Sequence, residues 1–96
     1  MTTTELTRVV AATRELLAAQ GQASRAAWLE EREHTLRTAD SPETIESTIA
    51  ELHSIVLGMG GLFDLPLSAT SAEAGSAARA RLDELADQLF DLTRPT

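Results

Sequence analysis

The sequence predicts an all-α protein, a small bundle of four helices with a long Gly/Pro-containing loop before the last. Three observations lead there: apolar residues recur at helical spacing in four segments, cap and turn residues separate those segments, and one aperiodic stretch gathers three glycines and a proline. With 96 residues the chain is read as a single helical domain over 1–96. Its core is thin, because 16 of its hydrophobic residues are alanine. Stability is expected toward the low end of the usual range, or helped by a partner.

The first helix is expected over about 4–20. Leu6, Val9, Val10, Thr13, Leu16 and Leu17 make one stripe, with Thr4 as N-cap and Gly21 as C-terminal stop. The second, about 24–38, places Trp28, Leu29 and Leu36 on one side, and Arg25 and Arg32 fall on that same side. Asp40-Ser41-Pro42-Glu43 combines a polar cap, a first-turn proline and an acid at the positive dipole end. It opens a third helix, about 42–57, whose stripe is Ile45, Ile49, Leu52 and Val56. Short links favour antiparallel neighbours. A three-helix arrangement with an irregular second segment is the alternative.

Residues 58–70 cannot continue the helix. Gly58, Gly60, Gly61 and Pro66 interrupt it, and Phe63, Leu65 and Leu67 alternate with Asp64 and Pro66 as in a short extended stretch. Thr70 or Ser71 then caps a last helix, about 71–93, with Leu82, Leu85, Leu89 and Leu92 on its apolar face and Pro95 closing it. A connection this long is unusual in so small a domain. Leu62, Phe63, Leu65 and Leu67 either tuck over the open end of the bundle or anchor a partner.

The net charge of −7 disfavours phosphate backbones and anionic membrane surfaces, so neither nucleic acid nor membrane is an expected partner. That charge is not evenly spread. Residues 1–37 hold five acids and five arginines, 79–96 hold four acids and three arginines, and 38–78 hold six acids and no base. In the third helix Glu43, Glu46 and Glu51 point away from the apolar stripe and lack intrahelical basic partners. They form either a solvated face or a docking face for a basic partner.

The chemistry-bearing patterns are sparse. Absent cysteine excludes disulfides and thiolate chemistry and fits a reducing cytosol. No basic and apolar leader opens the chain, and the charge-free run from about Ser54 to Phe63 is far shorter than the ~20 residues of a membrane span. A cytoplasmic location is the expectation. Gly58-Met59-Gly60-Gly61 follows a helix and has no nearby base, unlike a phosphate loop. His34 and His53 lack metal-site spacing, and Asp83, Asp87 and Asp91 follow an Arg79 that makes them an ordinary exposed face. Neither a metal nor any other cofactor is expected, and with no nucleophile–base motif no catalytic residue or enzymatic activity is expected either. Arg32 either snorkels out along its stem or pairs with an acid from elsewhere, for which Asp64 is the candidate.

The run Val56-Leu57-Gly58-Met59-Gly60-Gly61-Leu62-Phe63-Asp64-Leu65, with Trp28-Leu29 upstream, resembles a family of small uncharacterised bacterial helical proteins. Its members carry a Gly-Met-Gly-Ser-x-x-Asp-Leu loop before a last helix; Gly61 stands where serine is common and Phe63 where asparagine is common. The resemblance implies no activity. In size and charge the chain is also similar to immunity proteins and antitoxins. The expected function is therefore a small acidic bacterial protein-binding domain of that kind, covering a basic site on a protein partner through Glu43, Glu46, Glu51, Leu62, Phe63 and Asp64. The alternative is a self-associating structural or accessory subunit, possible as a homodimer, without catalytic activity.

Overall fold

Gly21 ends the first helix by adopting a positive φ of 80°, a conformation that costs a residue with a Cβ. The Gly21 amide then bonds the Ala18 carbonyl at 3.3 Å and the Gln22 amide reaches the Leu17 carbonyl at 2.8 Å. These two bonds are the Schellman pattern, which satisfies carbonyls that the helix end would otherwise leave open. The computed structural model describes residues 3–57 and 72–93, and in them four helices: α1 (Thr3–Ala19), α2 (Ala23–Thr38), α3 (Pro42–Leu57) and α4 (Ala72–Thr93). α1 begins at Thr3, so Thr4 lies inside the first turn and is not its N-cap. α2 starts one residue before the expected 24, capped by Gln22, whose carbonyl accepts from the Ala26 amide at 2.9 Å. It is regular throughout, which removes the three-helix alternative.

Pro42 opens α3 at the position where a missing N–H costs nothing, with Glu43 in the same turn. Links of three residues, 20–22 and 39–41, turn the chain back twice, so α1, α2 and α3 alternate in direction. α4 does not continue the alternation. His53, near the end of α3, bonds Thr93, the last residue of α4, so these two helices run the same way. The end of α3 and the start of α4 thus lie at opposite ends of the bundle.

Each helix packs on the next and α4 closes on α1, while among the described residues the α1 and α3 backbones make no close approach, nor do those of α2 and α4. The core fills the centre of this ring. Leu6, Val9, Val10 and Leu17 enter it from α1, Leu29 and Leu36 from α2, Leu52 from α3, and Leu82, Leu85 and Leu89 from α4. Burial of each such leucine stabilises the fold by roughly 1.5–3 kcal/mol. Ala26 and Ala86 are buried beside them, which lets the helix backbones approach closely. Thr13, fully buried on α1, returns its hydroxyl to the Val9 carbonyl at 2.8 Å and so carries no unsatisfied donor.

Among the described side chains, those of α3 are the least deeply set. Of the stripe expected on it, Leu52 is fully buried and Ile45 and Ile49 are half-buried, as is Ile55, while Val56 lies outside the described side chains. Thr48 shares the buried side and bonds the Thr44 carbonyl at 2.9 Å. α3 therefore presents a wide polar face to solvent. That face carries the acidic residues.

Candidate functional site

Arg32 leaves the apolar side of α2 along its alkyl stem and turns its guanidinium over the Trp28 ring, with the charge centre 4.1 Å from the ring centroid. Its Nε and Nη2 each lie 2.8 Å from Oε2 of Glu51 on α3, and Nη1 lies 3.0 Å from Glu31. Among the described residues, the acid from elsewhere that Arg32 pairs with is Glu51, and the expected pairing with Asp64 falls on a residue outside them. Asp64, Leu62 and Phe63 lie outside the described residues. The pair joins α2 to α3 at 23% and 45% side-chain exposure, where solvent still weakens it.

The three acids expected to act together are divided by this pairing. Glu51 is engaged by Arg32, so its charge is largely offset. Glu43 and Glu46 are exposed, one helical turn apart, and neither has a partner among the described residues. Between α2 and α3 runs a groove of about 450 Å³, lined by Glu43, Glu51, Glu31, Arg32 and the hydroxyl residues Thr44, Ser47, Thr48 and Thr35. Its lining has no large apolar side chain. It is suited to hydrogen bonding and charge recognition, and not to enclosing an apolar ligand.

A second interhelical pair lies one helix away. Arg14 of α1 donates Nε to Oε1 of Glu33 at 2.9 Å, and Arg37 holds Oε2 of the same carboxylate at 3.0 Å. Glu33 is 13% exposed, the most enclosed acid among the described ion pairs. Its hydrogen bond raises the Arg14 pKa above the ordinary value; desolvation opposes that rise, and the charges of Glu33, Glu15 and Glu30 add to it. Sequence reading missed this site because Glu33 looks like one more acid in the Glu30-Glu31-Arg32-Glu33 run. The detectable signal was the antiparallel link: residues a few turns before Gly21 face those a few turns after it.

The histidines behave differently from one another. His34 is exposed. His53 is half-buried, its Nδ1 2.9 Å from Oγ1 of Thr93 and its ring 5.2 Å from that of Phe90. Thr93 sends its one hydroxyl hydrogen to the Leu89 carbonyl at 2.6 Å, so His53 Nδ1 is the donor in their contact. Asp83 lies 3.6 Å from Arg79, the ordinary i,i+4 pairing of an exposed face. Among the described residues no three His, Asp or Glu side chains gather to hold a metal ion, and no helix is long and apolar enough to cross a membrane.

Comparison with protein-family models, with curated proteins and with solved structures finds no match.

Proposed function

We propose that the chain is a small acidic protein-binding domain, immunity- or antitoxin-like and bacterial, that covers a basic site on a protein partner in the cytoplasm. The observation that carries this reading is the unpartnered Glu43/Glu46 pair, among the described residues, beside the polar α2/α3 groove. Two carboxylates one turn apart accept arginine or lysine side chains from a partner without first breaking an internal ion pair. The one-signed 38–78 segment attracts such a partner at long range. No catalytic step is assigned to the site. Glu51 has a supporting part in this reading, because Arg32 holds it in place and offsets its charge.

The test is partner capture with the whole chain, followed by kinetics on the partner identified. Glu43→Arg together with Glu46→Arg is expected to abolish binding, and the wild-type association rate is expected to fall steeply as salt rises. Binding that survives the double reversal with a salt-insensitive association rate overturns the reading.

A further inference from the structure

A different face of the molecule carries arginines. Arg8 of α1 stands between two grooves: one of about 620 Å³, lined by Thr4, Thr7, Ala11, Leu36 and Arg37 as well as Arg8, and one of about 240 Å³ shared with Arg81 of α4. Arg37, Arg8 and Arg81 thus come from α2, α1 and α4 onto one side of the bundle. Their side chains are 58%, 77% and 50% exposed. Each has one acid nearby on its own helix, Glu33 at 3.0 Å, Glu5 at 3.9 Å and Glu84 at 2.8 Å. A guanidinium has five N–H donors, so one such contact leaves most of them available.

The order of helices around the ring decides what these donors can meet. α1 and α3 occupy opposite corners, with no close approach of their backbones among the described residues, so the Arg8 face and the Glu43/Glu46 face point away from each other. One molecule cannot bring them together. A second copy can. We infer that the groove between Arg8 and Arg37 is a docking site for the acidic face of α3 from another copy of this chain, with Glu43 and Glu46 of that copy accepting from the two guanidiniums.

Carboxylate–guanidinium geometry suits such a contact, since planar forks bind carboxylates with two parallel hydrogen bonds. Thr4 and Thr7 line the groove beside the arginines, and Leu36 and Ala11 supply its apolar lining. Because the two surfaces differ, the contact is heterologous and each added copy presents a fresh acidic face. Assembly is therefore head to tail and grows with concentration. The −7 charge on every copy opposes it at long range, which places its strength in the weak, concentration-dependent regime.

The inference shares with the functional reading only the accessibility of Glu43 and Glu46, and one experiment separates the two. Sedimentation of the full chain is compared with Glu43→Gln/Glu46→Gln and with Arg8→Gln/Arg37→Gln. Wild-type protein is expected to assemble beyond the monomer at millimolar concentration, and each double variant alone to lose at least tenfold in association. An equimolar mixture of the two variants is expected to recover a one-to-one pair that grows no further, because it retains one intact acidic face and one intact arginine face. A wild-type monomer at millimolar concentration, or a mixture no more associated than its components, overturns the inference. If Glu43→Arg/Glu46→Arg still abolishes capture of a basic partner in that case, the functional reading stands without self-assembly.

Discussion

Arg32 and Glu51 join α2 to α3 through two guanidinium nitrogens, each 2.8 Å from one carboxylate oxygen, with Trp28 beneath the guanidinium. Both groups remain partly solvated, so their coupling in a double-mutant cycle is expected at about 0.5–1 kcal/mol. Trp28 is the chain's single tryptophan, and it reports the same contact. Arg32→Ala is expected to shift its emission to longer wavelength as the ring face is uncovered, and Glu51→Ala to do so less. Additive losses of stability from Arg32→Ala and Glu51→Ala would mean that the pair contributes nothing.

Glu33 lies deeper and serves two arginines, so Glu33→Gln is expected to cost more, about 1–3 kcal/mol, by removing a charge that both were placed to meet. The pH dependence has a definite sign. The Arg14 pKa is raised in the folded state, so the stability this shift supplies is complete below the ordinary arginine pKa and is lost only as pH rises through the folded value. The difference in urea midpoint between wild type and Arg14→Met is therefore expected to stay constant from neutral pH to moderately alkaline pH. A difference that fades over that interval would contradict the assignment.

Leu52 is the one large side chain among the described residues that α3 buries completely, and Leu52→Ala is expected to cost about 2–5 kcal/mol. Ile49→Ala, at a half-buried position on the same helix, is expected to cost less. Hydrogen exchange adds a local readout: amides of α3 in Leu52→Ala should exchange faster relative to those of α1. Uniform acceleration across all four helices would show instead that α3 opens only with the whole fold.

His53 should populate the Nδ1–H tautomer when neutral, because Thr93 has already committed its hydroxyl hydrogen to Leu89. Nitrogen chemical shifts of the imidazole check this directly, and an Nε2–H tautomer would refute it. Thr93→Val is expected to cost about 1 kcal/mol through the donor it strands, and Thr93→Ser to cost little.

Much of the secondary structure was legible because it is encoded within a few residues. The α1 stripe points inward as its spacing predicts, Gly21 stops the helix through its positive φ, and Pro42 opens α3. α2 was harder to read, since Trp28 and Arg32 sit on the side that a simple stripe would bury. Each resolves as half-buried, one covering the other. The acidic face was legible as a set of charges. Its division was not: Glu51 differs from Glu43 and Glu46 only in what stands opposite it on α2.

The sequence by itself determined that this is an all-α protein with its surplus negative charge in the 38–78 segment, since periodicity, caps and residue charges are local properties. The tertiary structure decided that α4 runs parallel to α3, that Arg32 meets Glu51, that Arg14 meets Glu33, and that the arginine and acidic faces lie at opposite corners. These depend on the rotation and axial register of one helix against another. Such offsets arise from packing the whole core, and residues close in space there stand far apart in the chain.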